Sequence, residues 1–163
     1  MADSLVTWLQ ATTLSRAVVS ATWLWPVAEI LHFVGLALVL GLAGFFDARL
    51  LGWFRHVPVG AARALMPYAV GGFLLNLVTG SIFFVGHPEQ YVHNRAWWFK
   101  VGFLAVAGLN ALVFERIVSD RALQLGPGED TPPVLKAIGA ISIAAWLGVL
   151  YWGRMLPFIG DAY

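Results

Sequence analysis

Glu29 and His32 are the residues whose types and spacing most plainly suggest chemistry. Three positions apart, they share one face of a helix. Both lie inside a long apolar run, where an ionisable side chain is costly to hold and is a functional hypothesis by default. His32 follows Pro26 by six residues, about 9 Å along a helix axis, so the pair sits below a membrane surface but well short of the midplane. His87 and His93 flank a later loop, and Lys100 and Arg154 stand near the ends of later apolar runs. The chain has four histidines and no cysteine. Disulfides, thiolate metal sites, iron–sulfur clusters held by this chain and covalent c-type haem are thereby excluded.

Imidazole, carboxylate and cation remain, and they support three arrangements. In the first, Glu29 and His32 bind a transition metal, with His87 and His93 completing the site; such ligands suit copper, iron or zinc. A di-iron centre would need two Glu-x-x-His motifs and further carboxylates, and this chain has one such motif. In the second, His32 is an axial ligand to haem b, with His87 or His93 opposite and Arg154 or Lys100 near the propionates; haem iron can be held by histidine alone. In the third, Glu29 pairs with Arg154 or Lys100 and His32 is a hydrogen-bonded core residue. No Gly-rich phosphate loop, Ser-His-Asp arrangement or nucleophile elbow occurs. The expectation is a non-enzymatic protein with no catalytic residues.

The elements that position these residues follow from composition. Hydrophobic residues make up 60% of the 163 and charged residues 12%. That charge is about half the share of a soluble domain, so a membrane protein whose first partner is the lipid bilayer is expected. A net charge of +1 leaves no electrostatic footprint for nucleic acid. Four apolar runs have spanning length: 26–46, closed by Asp47 and Arg49; 67–85; 97–118; and 134–153. The fold class is all-α, a four-span transmembrane helix bundle forming a single integral membrane domain over 1–163. Leu5, Trp8, Leu9 and Thr12 recur at helical spacing ahead of it, as in an N-terminal amphipathic helix lying in the interface. Ala37, Gly41, Gly44 and Ala48 form one small-residue stripe and Gly72, Asn76 and Thr79 another, while Asn110 and Ser142 offer bonds between helices.

Four spans place both termini on one side, here side A, together with the loop 86–96. Side B carries the loops 47–63 and 119–133. Arg49, Arg55, Arg63, Arg116, Arg121 and Lys136 belong to side B, against Arg16, Arg95, Lys100 and Arg154 on side A. Six cations against four predict a cytoplasmic side B and periplasmic termini in a bacterial inner membrane. This topology gathers Glu29, His32, His87, His93, Lys100 and Arg154 at the periplasmic end. The functional expectation is a transition-metal or redox site there; a haem b electron-transfer subunit and an accessory subunit of a larger membrane complex are the alternatives. Another membrane protein or a second copy of the chain would then be the partner.

The stretch Pro26-Val27-Ala28-Glu29-Ile30-Leu31-His32-Phe33-Val34-Gly35, continuing to Phe46-Asp47-Ala48-Arg49-Leu50-Leu51-Gly52, resembles the start of a bacterial family of small uncharacterised four-helix inner-membrane proteins. Asn94-Arg95-Ala96-Trp97-Trp98-Phe99-Lys100 and Asn110-Ala111-Leu112-Val113-Phe114 resemble its third span, and Trp146-Leu147-Gly148-Val149 with Gly153-Arg154 its last. The resemblance implies a four-helix fold and carries no activity. Through His32 and Gly35 alone, the chain is more loosely similar to copper-resistance D-type and cytochrome b561-like membrane proteins.

Overall fold

The structure is a computed structural model and describes residues 2–159. Among the described residues it is all helix and turn, without strands. Two short helices lead, α1 (Ala2–Gln10) and α2 (Thr13–Ser20). The Thr12 side chain caps α2 by accepting from the Ser15 N–H at 3.1 Å. Four helices long and apolar enough to cross a membrane follow: Leu24–Leu50, Val59–Gly86, Arg95–Leu123 and Pro133–Phe158. They are the spans of a multi-pass membrane protein.

Each span runs beyond its apolar stretch. The first does not stop at Asp47 and Arg49; both lie within its last turns and are buried. The cause is a cap of packed structure on side B. Phe46, Leu50, Val59, Ala62, Phe114, Ala122, Leu135 and Ile138 form one buried cluster there. Arg49 is wholly enclosed and donates to oxygens from both side B loops: Val57 O at 2.5 Å, Thr131 Oγ1 at 3.1 Å and Gly126 O at 3.3 Å. Outside this clamp Asp130 accepts from Lys136 and pairs with Arg55 at 2.9 Å. The Lys136 hydrogen bond, aided by both positive charges, holds the Asp130 carboxyl below the usual carboxylate range.

The spans form two hairpins, first with second and third with fourth. At the first crossing a Cβ on Gly35 would meet Gly72 O at 2.7 Å, and one on Gly72 would meet Gly35 O at 2.8 Å. Backbones approach so closely only where both residues lack side chains. This corrects the expected first-span stripe, since nothing lies within 4 Å of a Cβ on Gly41 or Gly44. The second-span stripe of Gly72, Asn76 and Thr79 does face the first span. The Asn76 amide, oriented by its surroundings, donates to His32 O at 2.7 Å and accepts from Leu36 N–H at 3.1 Å, bridging the two ends of one helical turn. In the second hairpin Asn110 Nδ2 donates to Ile138 O at 3.1 Å.

The hairpins meet at their side B ends and part toward side A. At the junction a Cβ on Gly139 of the fourth span would meet Asp47 O of the first at 2.8 Å. Two segments wind as π-helix, Val39–Ala43 in the first span and Phe114–Val118 in the third. One residue added to a helix turns the face that follows by about 100°, so residues before and after each segment address different neighbours.

Candidate functional site

Where the hairpins part, a cavity of about 390 Å³ opens near side A. Glu29 and His32 enter it from the first span, Gly80 and Phe83 from the second, Trp97 and Lys100 from the third, and Gly153 and Arg154 from the fourth. The volume lies within the range of small-molecule and cofactor sites, roughly 300–1,000 Å³. Four of the six residues singled out by spacing therefore share one cavity.

His32 is the best-defined group in it. Its backbone is fixed by Asn76. Its Nδ1 lies 2.7 Å from Thr79 Oγ1, and that hydroxyl donates its single proton to Leu75 O at 2.8 Å. With that proton committed, Thr79 accepts from His32, so Nδ1 carries a proton and, in the neutral imidazole, the lone pair is on Nε2. Phe83 packs beside the ring at 5.6 Å between centroids. The outcome is an imidazole held by its rear nitrogen, the arrangement found behind histidine ligands of metals.

Glu29 accepts from Trp25 Nε1 at 3.1 Å. Among the described residues it forms no ion pair with Lys100 or Arg154, so the expected carboxylate–cation pair is replaced by an indole. Lys100 Nζ lies 5.8 Å from the Trp97 ring centroid and is within electrostatic reach of His32. The Arg154 guanidinium lies 5.1 Å from the Phe158 ring centroid. Two cations against one carboxylate leave the cavity with an excess of positive charge, which favours an anionic guest. Tyr91 closes the loop side; burial, with the Glu89 and Glu29 carboxylates adding to it, pushes its phenol up to about 12, so it stays protonated at physiological pH.

His87 and His93 are placed differently. His87 Nδ1 lies 3.1 Å from Glu89 Oε1, and its ring meets Trp25 edge-on at 5.2 Å. His93 Nε2 pairs with Asp3 Oδ1 of α1 at 3.0 Å. Gln10 also donates to Glu89, at 2.7 Å, so the loop histidines belong to the lattice that ties α1 to the Glu89–Val92 turn. Neither histidine lines the cavity. Among the described residues no group of three or more His, Cys, Asp or Glu side chains is arranged to hold a metal ion.

Sequence reasoning missed Trp25 as the partner of Glu29 and Thr79 as the partner of His32. Thr79 stood out only as one member of a small polar stripe, and nothing local linked it to a residue 47 positions away. The chain matches no family model, no curated protein and no solved structure.

Proposed function

We propose that this protein is a bacterial inner-membrane redox protein whose side A cavity would hold haem b, with His32 as the residue that would ligate its iron. The observation that carries the reading is the Thr79 hydrogen bond to His32 Nδ1, which in the neutral ring frees Nε2 as a ligand atom in a cavity of cofactor size. Phe33, Phe83 and Trp97 supply the apolar and aromatic walls that a macrocycle requires, and Lys100 and Arg154 supply cations for its propionates. Bound haem would supply one-electron chemistry. His32 would hold it, Thr79 orients the imidazole, and Lys100 and Arg154 would neutralise its carboxylates. A transition-metal ion on Glu29 and His32 is the second reading, supported by their presence in the same cavity. It requires His87 or His93 to leave its present carboxylate.

The test is the visible spectrum of protein purified in mild detergent and reconstituted with hemin. A Soret band with saturable one-to-one uptake is expected. Wild type that takes up no haem yet retains stoichiometric copper, iron or zinc would overturn the haem reading in favour of the metal. Wild type that holds neither after reconstitution would leave the accessory-subunit reading.

The same proposal places the termini and this cavity on the periplasmic side and includes the chain in the family of small four-helix inner-membrane proteins that it resembles. The six-to-four excess of cations on side B supports the orientation. Cysteine at position 89 is expected to react with an impermeant maleimide added to intact spheroplasts, and cysteine at position 56 only after lysis. The reverse pattern would put the cavity on the cytoplasmic face.

A further inference from the structure

A second cavity, of about 300 Å³, lies between the hairpins toward side B, and all four spans line it. Its wall is mainly apolar and aromatic. Phe46, Phe73, Phe114 and Trp146 border it, and the Phe73 and Trp146 rings stand 6.3 Å apart at 71°. Both π-helical segments contribute, through Val39 and Ala43 and through Phe114 and Glu115. π-helical turns occur frequently at functional sites.

Asp47 is set into this wall at 4% exposure, and its Oδ2 has no hydrogen-bond partner. The charged groups around it are all engaged elsewhere. Arg63 and Glu115 line the same cavity and neutralise each other at 2.7 Å. Arg49 directs its guanidinium into the side B loops, and Lys136 pairs with Asp130 at 3.0 Å. Ser142 is the polar side chain beside the carboxyl. Asn110 has committed an amide N–H to Ile138 O, which leaves its Oδ1 as an acceptor on the cavity wall. Ser142 thus serves the carboxyl from one side, while Oδ2 and the Asn110 acceptor are left without a donor among the described residues. A buried carboxyl group either keeps its proton or is ionised against a charged donor.

We propose that this cavity binds a small organic ammonium ion, its N–H groups donating to Asp47 and its apolar body lying against Phe73 and Trp146. A bare metal ion would need more oxygen donors than Asp47, Ser142 and Asn110 provide. The volume and the carbon-rich wall suit a compact organic cation, and aromatic rings attract cations to their faces. Spans two and three meet at their side B ends and, near side A, through Phe84 stacked on Trp97, so the guest enters between these contacts from the bilayer, where an amphiphilic amine concentrates. The proposal is independent of the haem reading, since it uses a different cavity.

The experiment is equilibrium dialysis of the full-length protein in detergent with radiolabelled phenethylammonium, and in parallel with phenethyl alcohol, its neutral counterpart. Saturable binding of the ammonium is expected, with the alcohol at least about tenfold weaker because it cannot form the charged hydrogen bond. Asp47→Asn should lose the preference for the ammonium. Gly108→Leu should weaken binding by filling the cavity; a Cβ at Gly108 meets nothing within 4 Å, so the fold accepts it. His56→Ala is the control. Equal binding of ammonium and alcohol, unchanged binding in Gly108→Leu, or no saturable binding by wild type would each overturn the proposal. The first two comparisons decide the matter even if Asp47→Asn does not fold.

Discussion

His32→Ala is expected to abolish haem uptake while leaving the bundle folded. Among the described residues His32 is the only histidine lining the side A cavity, so no second imidazole replaces it. Folding survives because the first hairpin is held by the Gly35–Gly72 crossing and by Asn76, whose amide bonds to the backbone of His32 and not to its side chain. Thr79→Val is the more discriminating variant. It is nearly isosteric and removes only the acceptor behind Nδ1. Loss of such a supporting hydrogen bond weakens metal affinity by about 10–100-fold, so haem titration should show a right-shifted curve with the stoichiometry intact. His56→Ala serves as the matched control, because His56 lies in the opposite loop against Phe54. A Soret band of wild-type intensity in His32→Ala would remove the axial ligand from the proposal.

Arg49→Ala is expected to be among the most destabilising single changes in the chain. The guanidinium is wholly enclosed and serves Val57 O, Thr131 Oγ1 and Gly126 O, with Glu129 O at 3.5 Å. Truncation strands the buried Thr131 hydroxyl and the part-buried Val57 and Gly126 carbonyls, each at about 1 kcal/mol or more, so a loss of about 3 kcal/mol follows. For a chain of this length that lowers the thermal midpoint by roughly 6–12 °C, measurable by circular dichroism in detergent. Arg49→Lys should fall between, because an ammonium lacks the planar fork that reaches both loops at once. A midpoint within a degree of wild type for Arg49→Ala would show that the clamp adds nothing to stability.

The four spans were legible because each carries an apolar run of membrane length, a signal that does not depend on neighbours. Their ends were less so. Asp47 and Arg49 read as stop signals because their charges belong in water, and only the side B loops, folding over them, make helix the better state there. The Glu29–His32 pair was legible from i, i+3 spacing, and an even number of spans put Lys100 and Arg154 at the same end. The destinations of His87 and His93 were not legible. They depend on Glu89 and on Asp3 from a helix about 90 residues earlier, and topology specifies an end of the bundle without specifying a partner. The first-span contact was read at Gly41 and Gly44 when it lies at Gly35. A helix that is apolar nearly all round gives little periodic signal of which side meets protein and which meets lipid.

The Arg49 clamp also dictates an order of assembly. The first hairpin contains its own crossing glycines and its own Asn76 and Thr79 bonds, so it is a self-sufficient unit once residue 86 has been inserted. The second has the Asn110 bond and closes when the fourth span arrives. Arg49 belongs to the early unit, yet Gly126, Glu129 and Thr131 are synthesised some 80 residues later. Until then the guanidinium must remain hydrated at the membrane surface, and the first hairpin stands in the bilayer with that end unsealed. The clamp therefore cannot close before residue 131 is made, and a chain stopped before residue 126 would lack these partners of Arg49.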